Sequence, residues 1–483
     1  MLGRMRIHLM GICGTGMGSL AGLLAEAGHQ VQGSDEHVYP PMSSMLESLG
    51  ISIKQGYRSA NLTPEPDLVI VGNVIGRANP EAQALLASGI EHLSMPQALG
   101  RFFLSQRHSI VVTGTHGKTT TSGMLARLLE LAGRDPSYLV GGVLQDAGRS
   151  YRLGGGPEFV IEGDEYETSF FDKGSKFLHY MPRTGILTSV EYDHAEMFPS
   201  LEAVVEAFAK FVALIPPASE GGRLVVCADD PLAMQLASAC RGEVIPYGLS
   251  SAARLRGRPI EAGPAGQRFE AFEDGASLGA FEMQLTGHHN LRNALSVIAV
   301  ARGLGLSADA IRAGLAGFTG VKRRQEVRGV ASGVTVIDDF AHHPTAVRET
   351  IAAIRARHPH GRLWAVFEPR TNTTRRDVFQ EEYGRAFAGA DEVLIAPVDH
   401  PERAPEGRRL DPQRLVQDIQ NGGVTATFAA RGVTELVALL SERARRGDVV
   451  LIMSNGGFGG IHDKLLSSLA SRAISPGQSP QTR

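Results

Sequence analysis

The sequence predicts an α/β fold of three domains built on parallel sheets, and three observations carry that prediction. The chain has 483 residues, more than a single hydrophobic core usually supports. Short apolar runs of strand length alternate with stretches of helical periodicity, as a parallel sheet covered on both faces requires. Two separate strands, Ile7 to Ile12 and Ser109 to Val112, each run into a glycine loop and then a helix, and each opens a fresh series of such alternations.

Composition narrows the class. Forty-three per cent apolar residues, 20% charged residues and 57 glycines describe a loop-rich α/β enzyme better than a fibrous, disordered or membrane protein. A net charge of −3 leaves no electrostatic footprint for nucleic acid, so an anionic ligand must be held by local Lys, Arg and backbone donors. Cys13, Cys227 and Cys240 are an odd set without metal-ligand spacing, which suits a reducing cytosol. No secretory apolar region forms near the N-terminus, and no run approaches the ~20 apolar residues of a membrane span. A cytoplasmic monomer with no membrane or nucleic-acid partner is therefore expected.

The first domain is expected over residues 1–107. After the strand Ile7 to Ile12 come Gly14, Gly16 and Gly18, a helix from Met17 to Ala27, a strand Gln30 to Gly33, and Asp35. Asp35 lies near the distance at which an acid would meet a ribose. A nicotinamide dehydrogenase would open in this way, and so would a domain that holds the diphosphate of a UDP-sugar. Leu68 to Val71 and the region around Ile90 continue the strands.

The second domain is expected over residues 108–322, with strands Phe159 to Glu162, Thr184 to Val190, Leu224 to Ala228 and Glu243 to Tyr247. Residues 251–283 read as a β-hairpin excursion before a helix from Asn290 to Leu304. The string Thr113-Gly114-Thr115-His116-Gly117-Lys118-Thr119-Thr120-Thr121 is a phosphate cradle, followed by a helix expected to begin near Ser122. Glycines let backbone N–H groups converge on the phosphates, the Lys reaches the β/γ oxygens, and a hydroxyl meets Mg²⁺. ATP is the expected nucleotide. Glu162, Asp164, Glu165 and Glu167 cluster where a strand ends, and Glu162 is the best Mg²⁺ candidate because it can share the ion with Thr119; a solvated acidic turn is the alternative for the other three. Asp193-His194 follows another strand, where a neutral imidazole can take a second divalent ion. Asn290 and Asn293, three apart on one helical face, can read the two hydrogen-bonding edges of adenine.

A third domain is expected over residues 323–474, with a frayed tail at 475–483. Its strands are Thr335 to Ile337, Leu363 to Phe367, Glu392 to Ile395 and Val449 to Met453, with helices such as Ala346 to Ala356 and Leu436 to Arg445. Arg324, in Lys322-Arg323-Arg324 at the hinge, can reach a transferring phosphoryl group when the domain closes. Asp339 and His343 follow the first strand and can face a nucleotide. Arg370 and Asn372 after the second strand, with Ser454 and Asn455 after the last, can line a pocket for a charged second substrate, Arg370 pairing a carboxylate.

The strings GICGTGMG, TGTHGKTTT, EGDEYE, EYDH, HHNLRN, VKRRQE and DDFAHHP, in that order, resemble the Mur ligases of bacterial cell-wall synthesis, over nearly the whole chain. YPPMS at 39–43, SFFDKGSKFLHY at 169–180, FEPRTNT at 367–373 and MSNGGFGGIHDKL at 453–465 are similar to the branch that ligates a recovered murein peptide. The resemblance implies an N-terminal Rossmann-like domain for the UDP-sugar, a central P-loop ATPase with a parallel sheet, and a C-terminal Rossmann-like domain for the acceptor. It implies an amide ligase that activates UDP-N-acetylmuramate with ATP and transfers it to the murein tripeptide. The L-alanine-adding ligase shares every nucleotide motif and is the nearest alternative; a nicotinamide oxidoreductase would leave residues 113–121, Glu162 and His194 without a purpose. By motif, Lys118, Glu162, His194 and Arg324 form the catalytic set. Thr119 and Glu162 hold one Mg²⁺ and His194 a second. Gly114 through Thr120, Asn290, Asn293, Arg324, Asp339 and His343 hold the nucleotide, and Gly14, Gly16, Gly18 and Asp35 the UDP-sugar. Gly163, Glu167 and Ser189 depart from the family pattern, so Ser189 receives no role. Lys210 lies one residue beyond the place of a carbamoylated metal-bridging Lys in several relatives.

Overall fold

The computed structural model describes residues 3–39 and 42–472. The boundary expected at 474 and the tail at 475–483 lie outside the described residues, as do Pro40 and Pro41 of the YPPMS string. Three sheets organise the chain. The first is parallel throughout, in the order β3-β2-β1-β4-β5, from β1 (Arg6–Met10), β2 (Gln30–Asp35), β3 (Ser52–Gln55), β4 (Leu68–Val71) and β5 (His92–Ser94). Helices α1 (Thr15–Glu26), α2 (Met42–Ser48), α3 (Pro80–Ser88) and α4 (Met95–Leu99) cover it.

The second sheet has ten strands. Its parallel heart is β14 (Glu243–Gly248), β13 (Arg223–Cys227), β12 (Thr184–Leu187), β6 (His108–Thr113), β9 (Glu158–Glu162) and β7 (Ser137–Leu139). β8 (Tyr151–Arg152) closes one edge; a small ribbon of β10 (Glu167–Ser169) and β11 (Asp172–Ser175) stands apart. At the other edge the expected hairpin is a three-stranded antiparallel meander, β15 (Leu255–Gly263), β16 (Gly266–Glu273) and β17 (Ala276–Met283). Along β6 the period of two sends Ile110 and Val112 to one apolar cluster and Val111 to the other. Helices α5 (Lys118–Leu131), α6 (Leu201–Ala213), α7 (Pro231–Ala237), α8 (His288–Gly303) and α9 (Ala308–Ala316) flank the sheet. Helix α5 begins four residues before the expected Ser122, because Gly117 at φ +82° caps it. The Lys-Thr-Thr that looks like loop is its first turn, whose N–H groups have no partner within the helix.

The third sheet runs β18-β19-β23-β20-β21-β22: β18 (Glu326–Ala331), β19 (Val334–Asp339), β20 (Leu363–Phe367), β21 (Glu392–Ile395), β22 (Thr425–Phe428) and β23 (Val449–Met453), with only β18 antiparallel. Helices α10 (Pro344–Arg357), α11 (Gln380–Ala386), α12 (Pro412–Asn421), α13 (Val433–Arg443) and α14 (Ile461–Arg472) cover it.

The cores are unevenly shared. One apolar cluster runs from Ile7, Leu9 and Leu20 through Phe103 to Phe159, Phe177 and Phe208, so the first two units pack as one body. Gly22 permits this, since a Cβ there would meet the Tyr151 ring 2.1 Å away. The third unit has its own clusters on the two faces of its sheet, one around Ile337, Phe367 and Leu451, the other around Val336, Trp364 and Ile452. Among the described residues no apolar cluster joins the second and third units. No described helix is long and apolar enough to cross a membrane.

Candidate active site

The carboxyl ends of β6, β9 and β12 converge on a cavity of about 1400 Å³ that reaches all three units. Open α/β sheets place ligands at this edge. Gly114 leaves β6 at φ +124°, where a Cβ would sit 2.2 Å from Thr188 Oγ1 and 2.9 Å from the Ser189 backbone. The loop is pinned from the next strand: Thr115 N–H donates to Ser189 O (2.9 Å) and His116 N–H to Ser189 Oγ (3.1 Å). Ser189, which received no role from sequence, therefore shapes the cradle.

Lys118 is the first residue of α5 and is not exposed, as its place in a loop would have it. Its side chain is 12% accessible, and its Nζ donates to Gly114 O at 2.6 Å and to Glu165 at 3.1 Å. Burial alone would depress the ammonium pKa, but Glu165, Asp164 and Glu162 outweigh it and raise the value, so the lysine is charged. Thr119 Oγ1 donates to Glu162 Oε1 (2.9 Å), and Gly141 N–H donates to Glu162 Oε2 (2.8 Å). Burial pushes the Glu162 carboxyl up against the pull of Lys118. A partly buried carboxylate beside a hydroxyl is an oxygen donor set that suits a hard divalent cation, so these residues fit Mg²⁺.

His194 stands in the left-handed region at φ 55°. Its Nδ1 lies 2.7 Å from Tyr166 Oη, and its Nε2 lies 3.2 Å from Glu165 Oε1. Burial lowers the imidazole pKa, but Glu165 and Asp193 prevail and raise it. Glu165 thus links Lys118 to His194, a connection the sequence did not single out. Asp164 pairs with Lys176 at 2.8 Å, whereas Glu167 is a half-exposed residue paired with Lys173. Lys210 is exposed on α6 and pairs with Glu206, one helical turn away, at 2.9 Å. This surface ion pair gives Lys210 no contact with Glu162 or His194, in keeping with its place one residue beyond the bridging position.

Arg324 enters from the third unit. Its Nη2 lies 3.4 Å from Thr119 Oγ1, and its guanidinium lies over the Phe340 ring at 4.8 Å. Burial lowers its pKa against Asp339 and Glu162. Asp339 builds this corner, accepting from Gln325 N–H and Ala341 N–H at 2.8 Å each. Asn290 donates to Thr286 O at 2.9 Å and accepts from Asn293 at 3.3 Å. Asn293 in turn sits against Gly117, where a Cβ would be 2.5 Å from its Oδ1. Both amides line the cavity beside the phosphate loop.

His116, Glu191 and His343 place one donor atom each within 4.8 Å of one another. Both ring nitrogens of His343 are engaged, however, Nδ1 accepting from Thr345 N–H and Nε2 lying 3.2 Å from Tyr192 O. Glu191 also accepts from Thr345 Oγ1 at 2.8 Å and faces His116 at 3.4 Å. The trio is a hydrogen-bonded latch between the second and third units.

Other sequence-chosen residues are placed differently. Gly16 lines the cavity, while Gly14 precedes α1. Gly18 makes room for Met42, whose Cε would lie 2.3 Å from a Cβ. Asp35, at the end of β2, accepts from Cys13 N–H (2.9 Å) in the glycine loop after β1 and from His37 N–H (3.0 Å), so its carboxylate is engaged within the first unit. Arg370 lies flat on Gly456, whose Cβ would come within 2.3 Å of Nε, and 3.8 Å from Asp399. Asn372 and Asn455 line the cavity beside Arg370. Ser454 does not; it is buried, its hydroxyl donates to Glu368, and its carbonyl accepts from Arg323 at 2.6 Å.

Comparison with known proteins agrees with this architecture. Family profiles match residues 6–107 ("Mur ligase family, catalytic domain"), 112–301 ("Mur ligase middle domain") and 323–456 ("Mur ligase, glutamate ligase domain"). The UDP-N-acetylmuramate–L-alanyl-γ-D-glutamyl-meso-2,6-diaminoheptandioate ligase of Escherichia coli is 42% identical, over 97% of this chain and 99% of its own. A UDP-N-acetylmuramate–L-alanine ligase of Rubrobacter xylanophilus is 37% identical, over 82% of this chain and 84% of its own. The crystal structure of a murein peptide ligase from Psychrobacter arcticus superposes with a TM-score of 0.70 at 36% identity, covering 96% of this chain and 99% of its own.

Proposed function

The chain belongs to the Mur ligase family, and on that premise we propose that it is an ATP-dependent, ADP-forming ligase of peptidoglycan recycling. It joins UDP-N-acetylmuramate to the tripeptide L-alanyl-γ-D-glutamyl-meso-diaminopimelate. One observation carries the catalytic reading: the Thr119 hydroxyl lies between Glu162 of the second unit and Arg324 of the third. Residues 1–107 would bind the UDP-sugar, 108–322 ATP, and 323–474 the acceptor.

The first step brings two anions together. The lactyl carboxylate of the sugar attacks the γ-phosphorus of ATP, ADP leaves, and an acyl phosphate forms. Lys118 and Arg324 offset the repulsion and stabilise the transferring group, and the N–H groups of Gly117 through Thr120 cradle the phosphates. Thr119 and Glu162 would hold Mg²⁺ and His194 a second ion, and such ions supply charge neutralisation at the phosphoryl oxygens. In the second step the α-amine of the tripeptide attacks the acyl carbon, the amide forms, and phosphate leaves. Arg370, with Asn372 and Asn455, receives a carboxylate of the acceptor, and the Asn290–Asn293 pair faces the adenine. Gly14 and Gly16 let the first unit approach the sugar diphosphate. With soluble, nucleotide-linked substrates, the reading is of a cytoplasmic enzyme acting as a monomer.

The test is phosphate release with ATP and UDP-N-acetylmuramate, comparing the tripeptide with free L-alanine. Tripeptide should support the faster turnover. A preference for L-alanine would make the chain an alanine-adding ligase instead.

A further inference from the structure

The turn after β20 presents its side chains in two directions. Arg370, Asn372 and Arg375 line the cavity, while Thr373 and Arg376 do not. Those two reach across to the second unit and hold both backbone groups of one residue. Ala195 N–H donates to Thr373 Oγ1 at 3.2 Å, and Arg376 Nη1 donates to Ala195 O at 3.1 Å. Ala195 directly follows His194, whose left-handed backbone is unusual for a side chain with a Cβ and persists only where its surroundings enforce it. Thr373 is buried at 2% accessibility, and Arg376 Nε is buried without a hydrogen-bond partner among the described residues. Placing a guanidinium so that one of its donors goes unmet is unfavourable; the bond to Ala195 O is what the position provides. The turn is also anchored in its own unit, Leu410 N–H donating to Arg375 O at 3.0 Å.

We propose that Thr373 and Arg376 are positioning residues that clamp Ala195, so that seating the acceptor on Arg370 and Asn372 sets the place of His194 in the phosphoryl-transfer site. This rests on the ligase reading above. It makes one turn of the third unit serve two tasks: one side recognises the acceptor, and the other holds the catalytic strand-end of the neighbouring unit. An acceptor that seats poorly leaves His194 poorly placed, which ties commitment of ATP to the presence of the correct amine.

The experiment compares the wild-type chain with Thr373→Val, Arg376→Met and the double variant, together with Thr373→Ser, which keeps the accepting oxygen. Phosphate release is followed at saturating UDP-N-acetylmuramate, ATP and tripeptide while Mg²⁺ is titrated. Wild-type turnover tests the ligase reading separately from the clamp. The double variant should lose about tenfold in kcat, roughly the worth of two hydrogen bonds to a backbone, and should need several-fold more Mg²⁺ for half-maximal rate. Thr373→Ser, which keeps the acceptor for Ala195 N–H, should leave both near the wild-type values. The KM for UDP-N-acetylmuramate should not change. An unaltered Mg²⁺ requirement in the double variant, whether kcat is preserved or falls with the melting temperature alone, would overturn the proposal.

Discussion

The two seams between the three units are made of different matter. Between the first and second units the seam is built on an apolar core, with the Tyr151 ring against Gly22 and Phe103 near Phe159 (ring centroids 6.3 Å apart) inside one continuous cluster, and a few polar bonds such as Ser19 to Ser150 and Leu153 N–H to Glu26 beside it. Between the second and third units it includes polar links: Arg324 to Thr119, Glu191 to Thr345 and His343, His289 to Glu349, and the clamp on Ala195. A shared apolar core resists separation, because opening it exposes area that water disfavours. Polar links exchange for water at little net change. The third unit is thus the one able to open for substrate entry, and the reacting centre lies across the seam it closes.

The largest expected effect lies at that polar seam. Arg324→Ala should lower kcat by roughly 10³-fold, the scale of one preorganised charge at a phosphoryl group, while the melting temperature stays near wild type. Phosphate release and calorimetry together check this, and a rate within threefold of wild type would remove Arg324 from the reacting centre. Lys118→Ala should match the loss in rate but also destabilise the chain by about 2 kcal/mol, because the buried Glu165 then loses one of its two partners and keeps only His194.

At the apolar seam the order reverses. Tyr151→Ala should cost about 3 kcal/mol of stability through the cavity it leaves, with kcat of the folded fraction unchanged. A matching fall in kcat without loss of stability would contradict the division between the seams.

Much of this arrangement is legible in the chain because some signals are local. Leu363–Phe367, Glu392–Ile395 and Val449–Met453 are short apolar runs, and the strands occupy those residues. The strand-end position of Glu162 is likewise a matter of local pattern. Edge strands are harder to read: Ser-Ile-Lys-Gln of β3, Thr-Ala-Thr-Phe of β22 and Glu-Val-Arg-Gly-Val-Ala of β18 have too few buried positions for a period to emerge. Roles set by distant partners are not legible at all. Ser189 acts on His116 from 73 residues away and Thr345 on Glu191 from 154, so no spacing rule joins them. Asp35 and Ser454 look like ligand contacts in sequence, yet each satisfies a nearby group of its own unit instead.

A smaller effect separates recognition from chemistry within the third unit. Arg370→Ala should raise the KM for tripeptide about tenfold, the worth of one charged hydrogen bond, and leave the KM for ATP unchanged. Equal changes in both would place Arg370 outside the acceptor pocket.

The mildest way to part the seams is acid. Burial opposes ionisation of Glu191, but His116, His343 and Thr345 prevail and hold its carboxyl down to about 2; the His289 imidazole holds Glu349 down to about 2. For carboxyls depressed in the folded state, the stabilisation is complete above their unfolded values near 4.5 and is lost as pH falls toward 2. Between those limits the polar seam should loosen first. Small-angle scattering should show the radius of gyration rising before the far-ultraviolet circular dichroism falls. Simultaneous change in both would mean that the seams are equally sensitive.

The most direct measurement follows oxygen rather than rate. UDP-N-acetylmuramate carrying ¹⁸O in its lactyl carboxylate is ligated to the tripeptide with unlabelled ATP, and the released phosphate is analysed by mass. If the phosphate loop, Glu162 and Arg324 serve an acyl phosphate, each phosphate should carry one labelled oxygen from the sugar acid. Ligation that yields unlabelled phosphate would contradict transfer of the phosphoryl group to the carboxylate, and with it the role given to the cavity between the second and third units.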